Sequence, residues 1–175
     1  DSHLDCRALL IQIVALHTRP VQLSDMTAAF TAYAEEYQRF AQRDGHDVSG
    51  ENVQLYVHEL RTGSIIADLV SLADQASIIL DHLEVLIGFT SHLNEVAHHF
   101  LRTKAKAEFT PTKSELKNYL NIFKPVAKDS GSQINNIVQD GGTIIQQYNI
   151  GSDEAAKILR NIALELVKKP TEDEE

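Results

Sequence analysis

The chain has 175 residues, 43% of them hydrophobic and 23% charged, and a net charge of −9. That length supports one domain with a sizeable core, or at most two small ones. The acidic total argues against a general nucleic-acid binder, whose phosphate contacts need a basic surface. A single cysteine, Cys6, excludes an internal disulfide and a Cys-rich zinc site, and fits a reducing cytoplasm. No apolar run reaches the ~18–20 residues that cross a bilayer. The richest stretch, Ala76 to Leu93, is broken by Asp81, His82, Glu84, Ser91 and His92. No basic region precedes an apolar one near the start, so no signal peptide is expected.

Leu9 to Val14 is an apolar run of strand length, followed by a turn around Pro20. Ser24 is the expected N-cap of a first helix that ends near Asp44-Gly45. Met26, Phe30, Tyr33, Tyr37 and Phe40 recur at helical spacing and predict its apolar face. Val53 to His58 and Ser64 to Leu69 alternate around Arg61-Thr62-Gly63 and read as a β-hairpin. Its apolar face is expected to meet that aromatic stripe, with Phe30 and Tyr37 as core residues.

Ser71 or Asp74 then opens a long helix running to about Arg102. From Ile78 to Phe89 it is apolar nearly all round, as a helix buried on several sides is. Surplus apolar surface there suggests a subunit interface. Gly88, in the middle, costs about 1 kcal/mol relative to Ala, and a close crossing would explain it. Thr112 and Glu115 have capping-box spacing for a shorter helix, which Pro125 should kink or end. Ile134 to Gln139 and Thr143 to Tyr148 flank Asp140-Gly141-Gly142, a strong hairpin signal. Asn135, Asn136, Gln146 and Gln147 predict that one face of this hairpin is solvated. Ser152 caps a last helix, with Ala155, Leu159, Ile162 and Leu166 on one face and Pro170 as the stop.

The predicted order is β-α-β-β-α-α-β-β-α, an α+β class with an antiparallel sheet built from β-hairpins packed against helices. Residues 1–169 are expected to form a single domain. Residues 170–175 read as an acidic linker or tail, as they would if the chain were one part of a larger protein.

Charge is distributed unevenly. Residues 102–128 hold Arg102, Lys104, Lys106, Lys113, Lys117, Lys124 and Lys128 against Glu108 and Glu115, a local +5 on a −9 chain. Lys113, Lys117, Lys124 and Lys128 share one helix flank. With Arg102 they are the candidate interaction residues, for an acidic surface of a protein partner or second copy. The plain alternative is a solvated flank, and a third reading is contact with an anionic metabolite or nucleotide.

Eight histidines prompt a test for metal. His92, Glu95 and His99 share a helical face, and Glu95 with His98 makes one Glu-x-x-His. Dimetal bundles need a second such motif and more glutamates on facing helices, so no metal site is expected. Cys6, Ser64 and Ser132 lack a nucleophile motif, and neither glycine-rich phosphate loop is present. No cofactor is expected. The sequence therefore points to a cytoplasmic, non-enzymatic interaction or self-assembly module, most simply a homo-oligomer. A ligand-sensing domain is the alternative, and a metal-dependent enzyme is the remote third.

Overall fold

The computed structural model describes residues 7–14, 22–43, 56–61, 65–70, 76–102, 109–129, 132–140 and 143–169. The expected caps at Ser71, Asp74 and Gly45, the Gly141-Gly142 turn, Cys6, Ser64, Lys104, Lys106 and the 170–175 tail lie outside those residues.

The elements are β1 (Arg7–Val14), α1 (Leu23–Arg43), β2 (Tyr56–Arg61), β3 (Ile65–Val70), α2 (Ala76–Leu101), α3 (Lys113–Ala127), β4 (Gln133–Asp140), β5 (Thr143–Gly151) and α4 (Ser152–Lys168). The class is α+β. The strands form one antiparallel sheet in the order β2-β3-β1-β4-β5. β1 is therefore central, and β2 and β5 are the edges.

α2 explains its own composition. It packs on β1, β4 and β5 and also meets α1 and α4. Val85, Leu86, Phe89, Leu93, Val96, Ala97 and Phe100 are all buried. Over 84–101 these apolar side chains are therefore packed within the chain; the side chains of 76–83 lie outside the described residues. Gln146 of β5 fastens the contact. Its Nε2 donates to the Ile87 carbonyl at 2.9 Å and to Thr90 Oγ1 at 2.6 Å. The Gly88 puzzle resolves as a close approach: a Cβ there would sit 3.0 Å from Phe40 Cζ of α1.

α1 departs from the expected face. Its buried positions are Asp25, Ala29, Ala32, Tyr33, Glu36, Tyr37 and Ala41, while Phe30 and Phe40 are half-buried. The buried stripe is rotated away from Met26 and Phe30, because the main partner of α1 is α3 and not the first hairpin. Tyr33 and Tyr37 belong to both stripes and are fully enclosed. Tyr33 donates its hydroxyl proton to Asn136 Oδ1 of β4 at 2.7 Å, and Tyr37 meets Phe89 edge-on with centroids 5.4 Å apart.

α3 begins with the capping box. Glu115 N–H donates to Thr112 Oγ1 at 3.2 Å, and Thr112 N–H donates to Glu115 Oε1 at 3.4 Å. Pro125 does not end the helix, which continues to Ala127. Its missing donor falls in the last turn, where few further bonds depend on it. α4 starts one residue earlier than expected. Gly151 is its N-cap, its N–H donating to Glu154 Oε1 at 3.2 Å, and Ser152 is already helical.

The amides of β4 are not solvated. Asn135 and Asn136 are buried, since β4 is an interior strand between β1 and β5. Solvent reaches the edge strand instead, where Thr143, Ile144, Ile145, Gln147 and Asn149 are exposed.

Candidate functional site

α1 and α3 run antiparallel, and their polar contacts form a ladder. At one end Asp25 of α1 accepts from Lys128 Nζ at 2.8 Å and pairs with Lys124 Nζ at 3.7 Å. Midway, Asn118 Nδ2 donates to Glu36 Oε2 at 2.8 Å and to Glu35 Oε2 at 3.0 Å. At the other end Arg43 Nη2 pairs with Glu115 Oε1 at 3.3 Å. Within α1, Arg39 also binds Glu36. The sequence numbers descend on one helix as they ascend on the other, as antiparallel packing requires.

Two of the strip's basic residues thus pair with Asp25 while staying partly exposed, 38% for Lys124 and 50% for Lys128. The Lys128 hydrogen bond, then the Coulombic pull of Lys128 and Lys124, holds the Asp25 carboxyl below its usual range despite partial desolvation. Lys113 is half-buried and Lys117 exposed on α3. Arg102 is exposed just beyond α2, with φ at 64°. That is the left-handed region, where a helix cap prefers glycine.

Beyond Asn118 the ladder opens into a cleft of about 660 Å³. Its α1 wall is Glu36, Arg39, Phe40 and Arg43, and its α2 wall is Gly88, Ser91, His92 and Glu95. Both sets follow i, i+3, i+4, i+7, one face of each helix. Gly88 and Ser91 keep the α2 wall low. The segment Phe109 to Thr112 and Glu115 close the third side.

Buried charge accumulates behind the cleft. Glu36 is 3% exposed, and burial pushes its carboxyl up; Asn118 and Arg39 oppose the shift, and Glu115 adds to it. Tyr119, fully enclosed, has its hydroxyl driven up by burial and by the nearby charges of Glu36 and Glu115. His92 Nε2 lies 3.2 Å from the Tyr119 oxygen.

The metal candidates separate. His92 packs against Phe40 and Tyr119, while His99 sits edge-on to Phe100 and Phe109. Glu95 is exposed and His98 half-buried. Among the described residues no three His, Cys, Asp or Glu side chains group so as to hold a metal ion. His92 and His99 thus pack against aromatic rings. The sequence signals for the cleft itself were weak: Glu36, Arg39 and Arg43 look like ordinary solvated positions until α3 is placed beside them.

The two sheet edges differ in chemistry. β2 reads Tyr-Val-His-Glu-Leu-Arg, with a register shift between Val57 and Glu59. Charge and a bulge are the usual protections of an exposed edge. β5 reads Thr-Ile-Ile-Gln-Gln-Tyr-Asn-Ile-Gly, with neither charge nor proline along its 9 residues. Its register also shifts, between Val138 and Gln139 of the partner strand, leaving Ile145 unpaired.

Among the described residues no helix is long and apolar enough to cross a membrane. No family model matches the chain, and no curated protein or solved structure matches it significantly.

Proposed function

We propose that the protein is a non-enzymatic interaction and self-assembly module, and that it associates through the outer edge of β5. The observation that carries this reading is the missing charge on that edge. A strand edge presents unpaired N–H and C=O groups, and long uncharged edges pair with other strands. Ile144 and Ile145, 54% and 46% exposed, add apolar surface beside it. A second copy is the fitting partner. Two identical strands pair antiparallel about a twofold axis, which closes the assembly and covers the β5 edge of each copy, leaving only the charged, bulged β2 edges at its ends. No like charges then meet at the seam, although each chain carries −9.

The reading takes residues 1–169 as one α+β domain in the order β-α-β-β-α-α-β-β-α, with 170–175 as an acidic linker or tail. Arg102, Lys113 and Lys117 would speed encounter with an acidic surface rather than supply affinity. Lys124 and Lys128 contribute less, since Asp25 already engages them. For the same reason a metabolite or nucleotide sensor built on the strip is the weaker alternative.

Light scattering at tens of micromolar (a concentration suited to moderate affinity) should report more than the 19.5 kDa monomer. Gln147→Lys should return the protein to a folded monomer, whose melting temperature no longer rises with protein concentration. A monomeric unmodified protein removes the proposal. An oligomer indifferent to Gln147→Lys moves the interface off β5.

A further inference from the structure

We propose that the cleft between α1, α2 and the lead-in to α3 binds a small organic monocarboxylate. Its volume, about 660 Å³, falls inside the ~300–1,000 Å³ typical of small-molecule sites. The order of charges from back to front carries the assignment. Glu36 and Glu115 are 3% and 5% exposed in their side chains, whereas Arg39 and Arg43 are 31% and 59% exposed. On the α1 side the carboxylates of Glu36 and Glu115 lie behind and the two guanidiniums in front, so a molecule entering along that wall meets positive donors first.

Among the described residues each arginine commits a single nitrogen to its buried carboxylate, Nη1 of Arg39 to Glu36 and Nη2 of Arg43 to Glu115. A guanidinium offers five N–H donors, so most of each fork is left for an outside acceptor. Glu36 and Glu115 act as positioning residues. They hold the forks and reduce the side-chain entropy that binding would otherwise cost. The arginines are four residues apart on one helix face, a spacing at which both can reach one planar anion.

The rest of the cleft narrows the class. Phe40, Phe109 and Pro111 provide apolar wall for a carbon skeleton, which a bare inorganic anion would leave facing water. The lining carries three carboxylates, Glu36, Glu95 and Glu115, against two guanidiniums, so it can offset little added negative charge, which disfavours a polyanion. One carboxylate on an apolar body satisfies both conditions. This site is separate from the β5 edge, and either proposal can fail without the other.

Calorimetric titration of the full chain with phenylacetate, phenylacetamide and inorganic phosphate tests it. Phenylacetate should saturate with a Kd of about 1 mM or tighter, and the isosteric amide and phosphate should each bind at least about tenfold more weakly. Arg43→Lys keeps the charge but loses the fork, and should weaken phenylacetate about tenfold. Ser91→Leu fills the cleft from α2 without touching an ion pair and should abolish binding. Thermal melts establish that both variants are folded, and Ser91→Leu decides alone if Arg43→Lys is not. The proposal is overturned if phenylacetate does not saturate by about 10 mM. It is equally overturned if the amide or phosphate binds as well as the acid, or if Ser91→Leu binds like the unmodified protein.

Discussion

Replacing Tyr33 by Phe removes one oxygen from the most enclosed polar contact between α1 and the sheet. Tyr33 is 0% exposed and Asn136 4%, and their hydrogen bond is 2.7 Å long. The ring stays, so no cavity term enters. What is lost is the donor to Asn136 Oδ1, a buried acceptor. Leaving such a group unsatisfied costs about 1–3 kcal/mol. At about 2–4 °C per kcal/mol for a domain of this size, the melting temperature should fall by about 2–12 °C. Asn136→Leu should cost a similar amount by stranding the Tyr33 hydroxyl. The double variant, apolar on both sides, should cost less than the sum, with a coupling of about 1–2 kcal/mol. Burial also drives the Tyr33 hydroxyl above the usual tyrosine range. A raised folded pKa gives stability that is full below the unfolded value of about 10 and declines as pH rises from there. The Tyr33→Phe variant should therefore lose stability less steeply above about pH 10, by up to about 1.4 kcal/mol per pH unit. Thermal and urea unfolding of the four proteins in the cycle measures all of this. Additive single costs would refute the argument, because the hydrogen bond would then contribute nothing.

Other expectations follow from local geometry. Arg102→Gly relieves the positive φ after α2 and should raise stability by about 0.5–1 kcal/mol, read as a higher melting temperature. Asp25 has a depressed pKa, so its contribution is present above the unfolded value of about 3.9 and lost as pH falls through the folded one. Asp25→Asn should therefore be less stable than the unmodified protein at neutral pH, and the gap should close on acidification below about pH 4. Phe30→Ala should cost about 1–2 kcal/mol, below the ~3–5 kcal/mol of an enclosed aromatic, because Phe30 is only half-buried. Tyr37→Ala should fall in the larger range; equal costs in urea unfolding would contradict the rotated face of α1.

Local chemistry was legible before the fold. Thr112 and Glu115 reach each other because a capping box spans one turn. α2 announced its burial because a helix apolar nearly all round from Ile78 to Phe89 has too little polar surface there to lie in water. The α+β class followed from alternation in some segments and helical spacing in others, both properties of neighbouring residues. What stayed hidden depended on residues far apart in the chain. Asn135 and Asn136 looked solvated, and became interior when β1 paired with their strand. Glu36 looked like surface, and became buried when Asn118, 82 residues later, came alongside it. Lys124 and Lys128 read as free basic positions, yet both lie beside Asp25, at the far end of an antiparallel helix, and remain partly exposed. Spacing along one segment sets which side chains share a face. The element packed against that face sets whether a charge there meets water, a partner or a buried opposite charge.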